Sequence, residues 1–330
     1  MDDGLLVRTA FDAPVRIDVE RPIATIPTGA RWDDVVTLAQ EHGLAAAHGS
    51  SGTVGAVGYL VRGGMSFYGR QVGLAVNLVR SISVVLADGK LVRATANEHA
   101  DLFWALRGGD GGFGVVTQIE VSLFPMAQVI TGGIFWSAEY AEPILNRWQQ
   151  WCRTAPERAS TSMRLLNLPP LPGIPDQIAG RPVIGLDGAV SVPQESDLAS
   201  GLRILDQTLP PLRAVAEPLL DTWAPKRLAE LLLTHLDPPQ PLIYQNDHFL
   251  LADLSVATGS RPWSRWPARP RARICSSSSC VSWAVPSPQA APTAVWWTIW
   301  TRRMRTWRWA SRRRSPHRGR GPAPPDAAGT

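Results

Sequence analysis

Glycines and hydroxyl-bearing residues are concentrated in the segment HGSSGTVG, which runs from His48 to Gly55. Each glycine lacks a Cβ and permits positive φ, so the backbone of such a segment can approach a bound group closely. Its N–H groups and hydroxyls could then bind an anionic diphosphate. A plain Gly/Ser loop without a ligand fits the same spacing, and the residues alone do not separate the two interpretations.

A second glycine cluster, GDGGFG from Gly109 to Gly114, has the G-x-G-x-x-G spacing of a Rossmann dinucleotide fingerprint. That fingerprint needs a strand before it and a helix after it, so that the pyrophosphate meets a helix N-terminus. Here the helical pattern DLFWALR precedes the glycines and the strand pattern VVTQIEV follows them. This order disfavours a Rossmann site, and the missing G-K-[ST] disfavours a P-loop.

Few other residues suggest chemistry. His235 and Asp237, in THLDPP, could form an acid–base pair, but a solvated helix end explains them better. The three cysteines, Cys152, Cys275 and Cys280, have neither a metal-ligand spacing nor a disulfide framework. We therefore expect no metal site, and the sequence names no catalytic residue.

Charge is divided unevenly along the chain. Residues 261–330 hold fourteen Arg and one acidic residue, a charge of +13, so the overall +5 leaves −8 for residues 1–260. A mildly acidic body gives no indication of a nucleic-acid partner. No apolar run reaches membrane-spanning length, and the N-terminus has no signal-peptide h-region. We therefore expect a cytoplasmic location and no membrane partner.

The glycine clusters lie among clear secondary-structure patterns. Asp33 and Asp34 suit the first turn of a helix, Gly43 suits its C′ position, and Asp88-Gly89 is a strong hairpin signal. The predicted elements are strands within 5–27, with Val15, Ile17 and Val19 on one face, a helix over 30–43, a hairpin over 79–95, a helix over 100–107 and a strand over 113–124. Because Pro125 ends that strand, we assign residues 1–126 to one domain.

Residues 127–257 have fewer glycines, and their predicted strands and helices alternate irregularly, which indicates a second α+β domain. The predicted strands are ITGGIFW, the first part of MRLLNLPPLP, which leads into a Pro-rich loop, and RPVIGLDGAV, which includes a turn. The predicted helices are AEYAEPILNRWQQWCRTAP, ESDLASGLRILDQTL and DTWAPKRLAELLLTHLDPP.

Residues 258–330 hold eight of the fourteen Trp and almost no acidic residues. Such a composition is typical of a disordered tail, and an Arg/Trp-rich tail could also bind nucleic acid. It is equally what GC-rich coding DNA yields when it is read out of frame. Back-translation with a one-base shift turns Arg261–Trp283 into AVVALAGPASGSHLLVVELRQLG, and two later blocks regain ordinary patterns at the same offset. We therefore infer a lost reading frame near 257–261.

Together, the motifs of residues 5–257 resemble the berberine-bridge-enzyme-like FAD-linked oxidases of the vanillyl-alcohol-oxidase superfamily. The resembling segments, in the family's order, are GARWDDV, HGSSGTVGAVG, RGGMSFYGRQVGLA, VVLADGKLVRA, DLFWALRGG with GFGVVT, and RLLNLPPLP with GRPVI. The resemblance implies a PCMH-type FAD-binding domain in 1–126, here incomplete, and an incomplete substrate-binding domain in 127–257.

The resemblance also implies FAD as the cofactor and assigns residues to its site. Those expected along the isoalloxazine and diphosphate are Gly49, Ser50, Ser51, Thr53, Val54, Gly55 and Gly58. Gly114, Val115 and Val116 would hold the adenosine end through their backbones, and Asn77 replaces a more usual Asp. A simpler alternative is that the side chains of Val54, Val115 and Val116 pack in the protein core.

Two of these positions bear on the type of flavin chemistry. Ser51 falls where doubly linked members of the family carry a second covalent Cys, so no cysteinyl link is expected. Val54 falls at a position that gates oxygen, and its small side chain favours an oxidase over a dehydrogenase.

This sequence also departs from the family pattern. The family's Arg-x-Gly-Gly-His-type loop binds the diphosphate and links the flavin covalently through His, yet His42, His48 and His99 do not lie in such a motif. The linking His is therefore absent, and we expect an N-terminally truncated chain. The family's active-site Tyr/Asn motif would lie beyond the inferred frame loss.

The implied activity is oxidation of a small-molecule alcohol, sugar or amine by hydride transfer to flavin N5, with O2 as electron acceptor. The alternative is a non-functional fragment that binds FAD weakly or not at all. The sequence predicts neither the substrate nor the oligomeric state.

Overall fold

A computed structural model describes residues 7–9, 11, 13–109, 112–168, 170 and 172–234 of the chain, together with the backbone of strands at 247–251, 279–283 and 298–301. These residues form two large antiparallel sheets, one in the N-terminal part and one from residue 128 onward, with helices against each. The predicted α+β class is confirmed.

The N-terminal part contains seven strands and four helices among its described residues. The strands are β1 (Arg16–Asp18), β2 (Ile23–Pro27), β3 (Leu44–Ala45), β4 (Val79–Val85), β5 (Leu91–Thr95), β6 (Val115–Ser122) and β7 (Phe124–Pro125). The helices are α1 (Trp32–Gln40), α2 (Ala56–Val61), α3 (Gly69–Val72) and α4 (Ala100–Leu106). The first sheet has the order β1-β2-β6-β4-β5, and β3 pairs with β7 apart from it.

Most predictions for this part are confirmed. The Asp88-Gly89 hairpin joins β4 to β5, with Gly89 at φ +81° and a 2.9 Å bond from the Leu86 N–H to the Lys90 carbonyl. Helix α1 matches the predicted helix, but Gly43 (φ +66°) lies beyond the C′ position because the C-cap is Glu41.

One detail of the first strands is wrong. Val19 lies in the turn after β1 and is half-exposed, because the Asp18 carboxylate accepts a bond from the Arg21 N–H (3.0 Å) and reverses the chain there.

The second sheet collects the later strands. These are β8 (Gln128–Ser137), β9 (Ala159–Asn167), β10 (Pro182–Val192), β11 (Leu220–Asp221), β12 (Ala224–Lys226), β13 (Asp247–Leu251), β14 (Ser279–Trp283) and β15 (Thr298–Thr301). Their order is β11-β8-β10-β9-β15-β14-β13, with β12 also paired to β8. Two helices, α5 (Ala141–Cys152) and α6 (Leu198–Arg213), pack on one face through a buried apolar cluster.

The turn predicted at Asp187-Gly188 is wrong, because β10 runs through this pair without a break. Asp187 is buried and forms an ion pair with Arg164 of β9 on the face opposite the helices. Gly188, at φ +155°, lets the backbones approach, since a Cβ there would lie 2.2 Å from the Ser160 carbonyl oxygen. The glycine therefore marks close strand packing.

The helix predicted from DTWAPKRLAELLLTHLDPP is also wrong in its first half. Residues 220–226 instead pair with β8 as β11 and β12, and a 3-10 helix follows over Leu228–Leu233. This segment forms strands and not the predicted helix because β8 provides hydrogen-bonding partners. For example, the Thr222 N–H donates to the Gly133 carbonyl (2.9 Å). The rest of the segment, with His235 and Asp237, lies outside the described residues.

Of residues 258–330, the structure describes only β14 and β15. Strand β14 pairs with β13 and β15, and β15 pairs with β9. Apart from these two strands, residues 258–330 lie outside the described part of the chain, and the predicted disorder there stays a prediction. The frame loss and the predicted domain boundaries stay predictions as well. No helix in the described part of the chain is long and apolar enough to cross a membrane.

The two sheets are joined by polar and apolar contacts. The Arg70 guanidinium donates to the carbonyls of Ala155 (2.7 Å) and Ala159 (3.0 Å), and its burial lowers the pKa of Arg70. The core of the first sheet also extends to the 3-10 helix Leu228–Leu233, whose leucines pack with residues of α1.

Candidate functional site

The predicted ligand loop, residues 49–55, is built against the start of α1. The carbonyls of Gly52 and Val54 accept bonds from the N–H groups of Asp33 (3.0 Å) and Trp32 (3.1 Å). The loop's carbonyls thus satisfy amides of the first helical turn, which otherwise lack partners. Val54 and Gly55 are exposed residues, and their N–H groups have no backbone hydrogen-bond partner among the described residues.

The outer side of this loop continues as an open glycine face. Gly55 precedes α2 and Gly58 lies within it, both are exposed, and a Cβ at either would meet nothing within 4 Å. Val54 is 40% exposed beside them, so the core interpretation of its side chain is wrong. The face therefore offers backbone donors and free space together.

The other predicted residues of the loop lie on its inner and lateral sides. A Cβ on Gly49 would lie 3.1 Å from the Tyr59 ring, so this glycine permits close packing. The Ser51 and Thr53 hydroxyls are 3.0 Å apart and bond each other. Ser50 is half-buried and directly precedes Ser51. The polar groups of these residues are of the kind that bind an anion.

The second predicted group lies at the start of β6, and it is linked to the same end of the first sheet. Thr28 donates through its hydroxyl to the Val116 carbonyl (2.7 Å) and through its N–H to the Thr117 carbonyl (2.9 Å). The chain then continues through Ala30, whose carbonyl accepts from the Ala56 N–H (3.0 Å). Residues 28–32 thus bridge the start of β6 and the glycine loop.

Gly114 has a structural reason to be glycine. It adopts φ +149°, and a Cβ there would lie 2.4 Å from the Val85 carbonyl oxygen at the end of β4. Val115 and Val116, which pair with Val85 and Val84, are half-buried, and Val116 packs against the core. The core interpretation thus fits Val116.

Asn77 is separated from Gly114–Val116. It is exposed and lies in the 3-10 helix Ala75–Leu78 just before β4, whereas Gly114 contacts the last residues of that strand. Strand β4 has seven residues, so the two positions are on the order of 20 Å apart. A ligand that reaches both must be extended.

A buried polar cluster beside the loop was missed at the sequence level. His48 is 2% exposed, and its ring lies 6.2 Å from that of Trp32 and 5.6 Å from that of Tyr68. Trp32 Nε1, His48 Nε2 and the Tyr68 hydroxyl have no partner among the described residues. A histidine next to a glycine loop was the only available signal.

Burial sets the protonation state of this cluster. Desolvation lowers the pKa of His48 to about 4, although the Gly49 carbonyl partly opposes this shift. The imidazole is therefore neutral at pH 7. Burial also raises the pKa of Tyr59 and the pKa of Tyr68, so both phenols keep their protons.

The GDGGFG cluster is not a Rossmann site. Helix α4 precedes it and β6 follows it, so its described residues open no helix for a pyrophosphate. Asp110 and Gly111 lie outside the described residues. Among those described, no cluster of three or more potential metal ligands occurs.

Comparison with known proteins identifies the type of site. A family model described as an FAD binding domain matches residues 1–95, which include the whole glycine loop. FAD is therefore the cofactor. The N–H groups of Val54 and Gly55, which have no backbone partner among the described residues, and the open face at Gly58 fit an elongated, anionic dinucleotide.

Curated relatives are similar over parts of the chain. An FAD-dependent monooxygenase of Penicillium roqueforti is 33% identical over 147 residues, which are 44% of this chain and 29% of the relative. A carbohydrate oxidase of Microdochium nivale is 41% identical over 110 residues, which are 33% of this chain and 22% of the relative. A glucooligosaccharide oxidase of Sarocladium strictum is 34% identical over 169 residues, which are 50% of this chain and 34% of the relative. The matched parts span about a fifth to a third of these relatives.

Solved structures share the fold. 6-Hydroxy-D-nicotine oxidase from Arthrobacter nicotinovorans superposes with a TM-score of 0.59 at 20% identity, covering 87% of this chain and 63% of that one. Berberine-bridge-enzyme-like proteins superpose equally well. The predicted resemblance to the FAD-linked oxidases is confirmed, and these curated relatives are named as oxidases or as a monooxygenase.

Proposed function

Starting from an FAD-binding domain of PCMH-type fold, we propose that this chain is part of a flavin-dependent oxidoreductase that oxidises a sugar-like small molecule. The observation that carries the proposal is the open glycine face at Gly55 and Gly58, beside loop N–H groups that have no backbone partner among the described residues. The sugar substrate class is supported by relatives named carbohydrate oxidase and glucooligosaccharide oxidase.

The chain's own residues would hold and shield the cofactor. The amides of Val54 and Gly55, with the hydroxyls of Ser51 and Thr53, would bind the diphosphate side. The start of β6 would support the adenosine end through backbone groups. FAD, when bound, supplies hydride acceptance at N5, and O2 is the electron acceptor that we propose.

The test is direct titration of the full chain with FAD, followed by flavin fluorescence and the visible spectrum. Binding with protein-bound flavin bands supports the proposal, and a colourless protein that leaves FAD fluorescence unchanged refutes it. Gly58→Val should weaken binding at least tenfold, since its side chain fills the open face. Thr37→Val, on an exposed position of α1, is the matched control and should bind like the wild type.

Substrate class needs a second measurement. Oxygen consumption by the FAD-loaded chain should rise with oligosaccharides that have a free reducing end and not with the corresponding alditols, which lack the anomeric carbon. Turnover of secondary amines but not of sugars would contradict the proposed class.

A further inference from the structure

The strongest unexplained feature is His48, which directly precedes the glycine loop. It is 2% exposed and lies between Trp32 and Tyr68, which are both fully buried. Buried polar atoms are normally hydrogen-bonded. In this cluster, His48 Nδ1 forms a hydrogen bond with the Gly49 carbonyl of the loop, while His48 Nε2 has no hydrogen-bond partner in the described part of the chain.

The contact to the loop determines the tautomer. His48 Nδ1 lies 2.5 Å from the Gly49 carbonyl oxygen, and a carbonyl can only accept. Nδ1 therefore carries the proton and donates it, which leaves Nε2 unprotonated. Burial keeps the ring neutral at pH 7, so this arrangement persists.

The Gly49 peptide is held from two sides. The His48 ring bonds its carbonyl, and the Tyr59 ring packs where a Gly49 side chain would be. Tyr59 is itself fixed, because its hydroxyl donates to the Met65 carbonyl. The loop then continues to Val54 and Gly55, whose N–H groups have no backbone partner among the described residues. A rotation of the Gly49 peptide plane would therefore shift the N–H groups of Val54 and Gly55.

We propose that His48 is a positioning residue for FAD, which fixes the Gly49 peptide through Nδ1–H and thereby orients the loop amides toward the cofactor. This inference rests on the proposed FAD binding. It concerns only the δ nitrogen, because the ε nitrogen contacts no described part of the loop.

Three variants of the full chain separate positioning from packing. His48→Asn keeps an N–H donor at the δ position, His48→Gln moves it to the ε position, and His48→Phe keeps the ring without a donor. We expect Asn to bind FAD within about threefold of the wild type and Gln and Phe roughly tenfold more weakly, which is the size of one buried hydrogen bond. A packing role predicts the reverse order, because Asn leaves the largest void.

A second readout does not depend on FAD. Long-range ¹H–¹⁵N spectra should show His48 protonated at Nδ1 only, and amide shifts of residues 49–55 should match the wild type in the Asn variant alone. An Nε2–H tautomer, or an Asn variant that resembles Phe in shifts or affinity, overturns the inference. If the wild type binds no FAD but these spectra hold, the proposed function fails while the loop-positioning role stands.

Discussion

The buried, neutral His48 should make the fold sensitive to mild acid. Its folded pKa of about 4 lies below the value of 6.5 expected in the unfolded chain. Between these values the unfolded state binds more protons, so the contribution is complete above pH 6.5 and is lost as the pH falls toward 4. From pH 7.5 to 5.0 the two pKa values give a loss of about 2 kcal/mol.

The assay is urea unfolding at pH 7.5 and 5.0, followed by circular dichroism, for the wild type and His48→Asn. Other titrating groups are common to both proteins, so the difference between the two pH dependences isolates His48. The wild type should lose about 2 kcal/mol more than the variant over this range. Curves that run parallel would refute the reasoning, as would an NMR titration of the His48 ring with a midpoint near 6.5.

Three further predictions follow from close contacts and burial. Gly114→Ala should destabilise the fold by about 2–4 kcal/mol in urea unfolding, because φ +149° and the Val85 carbonyl leave no room for a Cβ; an unchanged midpoint contradicts this. Gly58→Ala should instead stabilise the fold by up to about 1 kcal/mol while weakening FAD binding; equal binding would place the cofactor elsewhere. Asp187→Asn should cost about 3–5 kcal/mol, because it removes the charge of the carboxylate that forms a buried ion pair with Arg164, and a thermal unfolding shift below about 2 °C would contradict it.

Local patterns were sufficient for several elements of the N-terminal part of the fold. The α1 helix, the Asp88-Gly89 hairpin and the strand after the GDGGFG cluster depend on nearest-neighbour periodicity and turn chemistry, which a single sequence displays. The order helix, glycines, strand also sufficed to argue against a Rossmann site. The FAD-linked family could be inferred because several motifs occur in one order.

Where long-range pairing competes with local pattern, the predictions were wrong. Residues 220–226 look helical but pair with β8, and Asp187-Gly188 looks like a turn but lies inside β10. The edge of β8 provides hydrogen-bonding partners for residues 220–226, and buried Arg164 provides the ion-pair partner of Asp187. Both partners are distant in sequence, and they determine the structure at these two places. Local propensity contains no information about either neighbour.

The candidate site divides in the same way. The sequence by itself indicated that residues 48–55 form a glycine-rich loop whose backbone could approach a ligand closely, because glycine content is a local property. Only the tertiary structure decided which polar groups of that loop are already bonded, since the start of α1 bonds the carbonyls of Gly52 and Val54 while the N–H groups of Val54 and Gly55 have no backbone partner among the described residues. Only packing against Trp32 and Tyr68 buries His48, and burial is what makes its imidazole neutral and fixes its bond to Gly49.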